Sequence, residues 1–242
     1  MERHSRALRD PAISNEIVRA RRHQTVYRHE AGVALMDKLG FRGMAARDDH
    51  RRPGLLIPVL DGRGRVWGHQ YRPDHPRLDS RGKPVKYENP RGQKMRLDFP
   101  PGWMDKLADK DLPLIVTEGS KKADAATSAG YAAIAMLGVA IWKTEPCLED
   151  WRAISKYLSG RHVFICFDSD ATTKQEVHDQ ETRLASFLRT THKARVHVCR
   201  LKSTAAGQTV GLDDFIAAGG DGAALLNRAG PRPVRVLAYV AG

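Results

Sequence analysis

The run Leu112-Pro113-Leu114-Ile115-Val116-Thr117, continuing into Glu118-Gly119-Ser120-Lys121-Lys122, decides the fold. It is an apolar stretch of strand length that ends in an acid and a glycine, and 121–129 behind it reads as a helix. The same unit recurs downstream. Residues 131–137, 163–167 and 195–201 are apolar runs of strand length, with helical stretches between them at roughly 148–158 and 172–188. In the latter, Val177, Leu184, Phe187 and Leu188 share a face, and the Thr172 and Thr173 hydroxyls are placed to cap its start. Near-continuous apolar strands alternating with helices predict an α/β chain, with a parallel sheet flanked by helices.

Two acidic motifs fall at predicted strand ends: Glu118-Gly119 after the first strand and Phe167-Asp168-Ser169-Asp170 after the third. Open parallel sheets bind ligands outside the carboxyl ends of their strands. Strand alternation would send Asp168 and Asp170 to one side with Ser169 between them, and a neighbouring strand would add Glu118. Three close carboxylates repel one another unless a cation neutralises them or some are protonated. Oxygen-only donors select Mg²⁺ or Mn²⁺, the metals of phosphoryl transfer. The competing reading makes Asp168 and Asp170 caps of the helix near Thr172. A further pair, Asp213-Asp214 in Gly211-Leu212-Asp213-Asp214-Phe215, offers Asp213 as a helix cap and leaves the other acid for the outer shell of a metal site.

The N-terminal part is different in kind. Across 242 residues, 40 Lys+Arg oppose 28 Asp+Glu, a net charge of +12. Residues 1–110 hold 24 basic and 14 acidic side chains, so most of the excess lies there. Residues 1–50 read as basic and helical. Ile13, Ile17 and Ala20 are helically spaced, a second amphipathic stretch spans 31–39, and Arg19, Arg21, Arg22 and Arg28 crowd between them. That cluster is either a solvated helix face or a nucleic-acid contact. Leu55-Leu56-Ile57-Pro58-Val59-Leu60, the turn Asp61-Gly62-Arg63-Gly64 and the alternating Arg65-Val66-Trp67-Gly68-His69-Gln70-Tyr71-Arg72 predict a β-hairpin. Its glycines have the wrong spacing for a dinucleotide loop, and turn chemistry accounts for them.

Several classes drop out. No stretch approaches the ~18 apolar residues of a membrane span, and Met1-Glu2-Arg3-His4-Ser5-Arg6 has no apolar core behind it, so a secretory signal is not expected. Cys147, Cys166 and Cys199 are scattered among apolar residues and read as reduced packing groups of a cytoplasmic protein. There is neither a Cys-x-x-Cys pair nor a Gly-x-x-x-x-Gly-Lys-[Ser/Thr] loop.

Taken in order, these motifs resemble the Toprim domain of DnaG-type primases, topoisomerases and some nucleases. They are most similar to Toprim-like proteins of plasmid and phage replication. The resemblance rests on Thr117-Glu118-Gly119, Lys122-Ala123-Asp124-Ala125, Leu137-Gly138-Val139, Phe167-Asp168-Ser169-Asp170 and Gly211-Leu212-Asp213-Asp214-Phe215, and covers about half the chain. The hairpin resembles the opening of the basic subdomain that precedes Toprim in primases, with Arg72 placed like a functional arginine there. Lys86-Tyr87-Glu88-Asn89-Pro90 is similar to the family's Lys-Tyr-Leu-Asn motif. Two positions depart from the pattern: Lys122 stands where an acid is common, and Ser169 stands where glycine is.

The resemblance implies a Toprim-like (Rossmann-like) domain over 111–228, preceded by a basic helical region (1–50) and a basic hairpin subdomain (51–110), with a tail at 229–242. It implies a primase-like nucleotidyltransferase that makes short primers on single-stranded DNA. Glu118, Asp168, Asp170 and Lys86 would be catalytic. Glu118, Asp168, Asp170, Asp213 and Asp214 would hold Mg²⁺ or Mn²⁺. Arg72, Lys86, Tyr87, Asn89 and Lys122 would bind nucleoside triphosphate or DNA, and a replicative helicase is an expected partner. A metal-dependent DNA nuclease and a non-catalytic DNA-binding accessory protein are the alternatives.

Overall fold

The computed structural model describes residues 11–27, 30–41, 53–172 and 174–229. Arg28, Thr173 and the tail from residue 230 onward lie outside them. Helix α1 (Asn15–Arg21) starts where Ser14 Oγ accepts the Ile17 amide, and it stops at Arg22 in the left-handed region. Strand β1 (Gln24–Val26) follows, then helix α2 (Glu30–Lys38). The hairpin is β2 (Gly54–Leu60) and β3 (Val66–Pro73), and β1 adds an antiparallel third strand along residues 54–56 of β2. Every residue of β2 is buried. Pro58 is tolerated there because β1 has already ended. Its carbonyl faces that vacated side and accepts from Arg21 Nη1 at 3.1 Å, so no ladder bond is missing an N–H. Val26, Met36, Phe41, Leu56 and Tyr71 form the small core of this unit.

The larger unit holds β4 (Leu97–Asp98), α3 (Trp103–Ala108), β5 (Leu114–Glu118), α4 (Ser120–Ser128), β6 (Ala132–Met136), α5 (Glu145–Leu158), β7 (His162–Cys166), α6 (Gln175–His192), β8 (Arg195–Val198), α7 (Leu212–Ala217) and α8 (Gly222–Ala229). The sheet order is β4-β6-β5-β7-β8. All pairings are parallel except β4 with β6. Leu114, Val116, Val163 and Ile165 pack on one face against α3, α5 and α6 through Trp103, Trp151 and Leu184. Ile115, Ala133 and Phe164 pack on the other against α4, α7 and α8. After β5 the chain goes first to one neighbour and then back to the other, so the crevice of this sheet opens at the end of β5. The three cysteines are buried and free, and no helix among the described residues is long and apolar enough to cross a membrane.

The α/β architecture expected from the sequence is present, with four corrections. The sheet is mixed and begins at Leu97, since β4 is an antiparallel edge strand only two residues long. Strand β1 and helix α3 were not anticipated, and both are too short to show a period. Helix α6 starts at Gln175, with Lys174 at its cap and no side-chain cap bond, because Ser169–Thr172 forms a 3₁₀ turn instead. The arginine cluster is divided: Arg19 and Arg22 are exposed, while Arg21 is fully buried in a knot of acids. It pairs with Asp98 at 2.8 Å and with Asp124 at 2.5 Å. Arg21 is therefore neither a solvated face nor a nucleic-acid contact.

Candidate active site

Both walls of the site are built by local necessity. At the end of β5, Gly119 turns the chain from strand into α4 at φ 90°, ψ 140°. Its Cβ position is open, so the backbone angle and not space calls for glycine. Thr117 Oγ1 donates to the Cys166 carbonyl at 2.8 Å and ties the ends of β5 and β7 together. Beyond β7, Ser169 is buried and clamps the exposed segment 202–209. Its Oγ accepts from Ser203 Oγ and from the Val210 amide, and its own amide donates to the Val210 carbonyl. This places Gly211 against the acidic strand end. A Cβ there would lie 2.6 Å from Asp213 Oδ1, 2.6 Å from Lys122 Cε and 3.3 Å from Asp168 Oδ1.

Between the hairpin and the sheet lies a cleft of about 470 Å³. Ile57, Gln70, Arg72, Lys86, Tyr87 and Asn89 line the hairpin side. Glu118, Ser120, Lys121, Lys122, Asp168 and Asp213 line the other. Arg72, Lys86 and Asn89 are exposed, and Tyr87 is 38% exposed, so Tyr87 is not a packed hairpin residue. Gln70 Nε2 donates to Asn89 Oδ1 at 3.3 Å.

Three carboxylates on the sheet side, Asp168, Asp213 and Asp170, each carry a lysine. Lys122 Nζ is 3.0 Å from Asp168 Oδ1, Lys121 Nζ is 2.9 Å from Asp213 Oδ2, and Lys174 Nζ is 2.5 Å from Asp170 Oδ2. Burial pushes the Glu118 carboxyl above its ordinary range, against the pull of Lys122, and the charges of Asp168 and Asp170 push the same way. Burial raises Asp168 too, opposed by Lys122. For Lys122 burial works against the charge, but Asp168, Asp213 and Glu118 outweigh it and hold the ammonium above its usual value. Ser120 Oγ and Asp213 Oδ1 are buried with no hydrogen-bond partner among the described residues.

Glu118, Asp168 and Asp213 thus meet in one cleft with Arg72, Lys86, Tyr87, Asn89 and Lys122. Two expected residues stand elsewhere. Strand β7 ends at Cys166, so strand alternation does not reach Asp170, which sits in the 3₁₀ turn and is not among the cleft-lining residues. Asp214 is exposed, and its Oδ2 accepts the Gly211 amide at 3.0 Å, capping α7. The roles of the two adjacent acids are therefore the reverse of the expected ones: Asp214 caps and Asp213 lines the cleft. Among the described residues, no three His, Cys, Asp or Glu side chains are gathered tightly enough to grip a metal as they stand. The donors nonetheless suit a hard cation. All are carboxylate oxygens, Asp213 Oδ1 lacks a partner among the described residues, and only glycine at 211 lets Asp213 and Lys122 close up beside Asp168. Sequence reasoning missed Ser120, Lys121 and Gly211, whose only signal was proximity to the two acidic motifs.

Residues 103–223 match the family model described as "Domain of unknown function (DUF3854)". An uncharacterized protein of Picosynechococcus sp. is 34% identical in a match that covers 34% of this chain and 11% of the relative. Among solved structures, the zinc-binding and RNA polymerase domains of the Aquifex aeolicus primase align with a TM-score of 0.65 at 18% identity, over 95% of this chain and 56% of that one. The DnaG primase catalytic domain bound to ssDNA aligns with a TM-score of 0.60 at 17% identity, over 94% of this chain and 72% of that one. The fold is that of the DnaG primase catalytic cores. The chain spans about a tenth of the curated relative and about half of the Aquifex structure.

Proposed function

The chain belongs to the DUF3854 family, and we propose that it is a Toprim-type, primase-like nucleotidyltransferase that joins nucleotides on a single-stranded DNA template in plasmid or phage replication. One observation carries this reading: a wall bearing Arg72, Lys86, Tyr87 and Asn89 faces Glu118, Asp168 and Asp213 across a single cleft. Arg72 and Lys86 bind phosphates as cations, and the exposed Tyr87 ring stacks on a base. Glu118, Asp168 and Asp213, with Asp170 beside them, would hold Mg²⁺ or Mn²⁺. The bound metal would orient the phosphate and offset its developing charge. Lys122 and Lys121 occupy that charge balance now, so metal entry requires them to exchange a carboxylate for a phosphate. Binding of nucleoside triphosphates, and delivery to DNA by a helicase partner, belong to the same proposal.

The lysines on Asp168, Asp170 and Asp213 favour a second reading, a non-catalytic DNA-binding replication protein. Template-dependent oligonucleotide synthesis with Mg²⁺ or Mn²⁺ separates the two. The wild-type chain should extend and Asp168→Ala should not. Synthesis by Asp168→Ala at the wild-type rate would overturn the metal assignment. Salt-sensitive DNA binding with no product in either protein would favour the accessory role. Cleavage of labelled DNA with metal and no nucleotides would identify a nuclease.

A further inference from the structure

Helix α4 opens onto the cleft with features that its fold does not require. It is nine residues long, has no acid in its first turn, and no side chain caps it. The amides of its first turn therefore face the end of β5 with the positive end of the helix dipole behind them. A helix N-terminus alone is no site, but Ser120 adds an independent mark. Ser120 is 5% exposed and lines the cleft, and its Oγ has no hydrogen-bond partner among the described residues. Leaving a buried hydroxyl unpaired is unfavourable, and nothing in the packing requires a hydroxyl there. Lys121 and Lys122 follow in the same turn and rest on Asp213 and Asp168. Arg72 from the hairpin and Lys86 from the segment after it line the same space, so four cations line the cleft against three carboxylates.

The geometry points to a phosphate-binding site at the first turn of α4, formed by Ser120, Lys121 and Lys122, that takes the triphosphate tail of a nucleotide without a divalent metal. Naming a nucleotide as the source rests on the proposed function; the anion site itself does not. Phosphoryl oxygens would accept from the Ser120 hydroxyl, the first-turn amides and Lys122. Lys122 would turn from Asp168 to the phosphate, which also frees Asp168 Oδ1. This gives a physical reason for a lysine where related domains carry an acid.

Calorimetric titration of the full chain with tripolyphosphate in EDTA tests the site, and a single-stranded oligodeoxynucleotide serves as the second ligand. Wild type should bind tripolyphosphate without metal. Lys122→Gln should weaken binding about tenfold or more, the loss of one charge-assisted hydrogen bond. Ser120→Ala should weaken it roughly two- to tenfold with no loss of thermal stability, since that hydroxyl makes no bond among the described residues. Ser120→Ala thus keeps the test decisive even if Lys122→Gln disturbs folding by stranding Asp168. Absence of tripolyphosphate binding in EDTA would overturn the inference, as would wild-type affinity in Ser120→Ala. If both variants weaken oligonucleotide binding and leave tripolyphosphate unchanged, the site holds the DNA backbone and the inference falls. Primer synthesis without metal-free tripolyphosphate binding would sink this inference alone, while binding without synthesis would sink the proposed function alone.

Discussion

Replacing Arg21 with methionine should be among the most damaging single changes in this chain. The Arg21 side chain is fully buried. It makes two 2.8 Å bonds to Asp98, bonds to Asp124 from Nε and Nη2, and a 3.1 Å bond to the Pro58 carbonyl. Methionine fills much of the volume and removes the charge, leaving two carboxyls of 0% and 1% exposure without a cation. Breaking a buried ion pair from one side costs about 3–5 kcal/mol, which for a protein of this size lowers the melting temperature by roughly 6–20 °C. The deficit should also depend on pH. Burial pushes the Asp124 carboxyl up to about 6, against the pull of Arg21. Between its unfolded value near 3.8 and about 6, the folded state binds more protons than the unfolded state. The native protein therefore loses stability at this site as pH rises through that window. Without Arg21 the Asp124 carboxyl favours protonation more strongly, so the variant should lie closer to wild type at pH 5 than at pH 7.5. Thermal unfolding followed by circular dichroism at both pH values is the assay. A deficit under about 1 kcal/mol, or one that does not shrink at pH 5, would refute this account of the knot.

Other outcomes follow from single contacts. Gly211→Ala should lose most nucleotidyl transfer while costing about 1–3 kcal/mol of stability, because its Cβ collides with Asp213 Oδ1 and Lys122 Cε; activity and melting temperature measured on one preparation check it. Burial, aided by Arg21, lowers the His23 imidazole to about 4, so the native state binds fewer protons than the unfolded chain between 4 and 6.5. Stability at this site is lost as pH falls through that range. His23→Gln should remove that loss, read as the difference from wild type in urea denaturation at pH 7 and pH 5. Ser169→Gly should free the 202–209 segment by deleting the hydroxyl that holds Ser203 and the Val210 amide. Limited proteolysis should then cut there faster, with a global cost of only about 1–2 kcal/mol.

The large unit was legible because buried parallel strands are nearly pure apolar runs: the runs at 112–117, 131–137 and 163–167 needed no partner to be recognised. The short elements were not legible. A strand such as Leu97–Asp98 exists only because β6 offers it an edge and Arg21 a counter-charge. The burial of Arg21 could not be read either, since its acids lie 77 and 103 residues away in sequence. Glu118, Asp168 and the Arg72–Asn89 wall were anticipated from motif order, and the cleft brings them together. Asp170 was misplaced by extending strand geometry past Cys166. Asp213 and Asp214 were exchanged because only the bond to the Gly211 amide distinguishes them.

A single guanidinium joins both walls of the cleft. Arg21 holds Pro58 on the hairpin and Asp124 on α4, the helix whose first turn lines the opposite side, while Asp98 between them also accepts the Leu60 amide. Swinging the hairpin away from the sheet would break several of these bonds together, so among the described residues they oppose opening along that line and help to set the width of the slot. Discrimination among ligands then rests on what fits between two walls tied together by one buried cation, while the exposed 202–209 segment is held separately by Ser169.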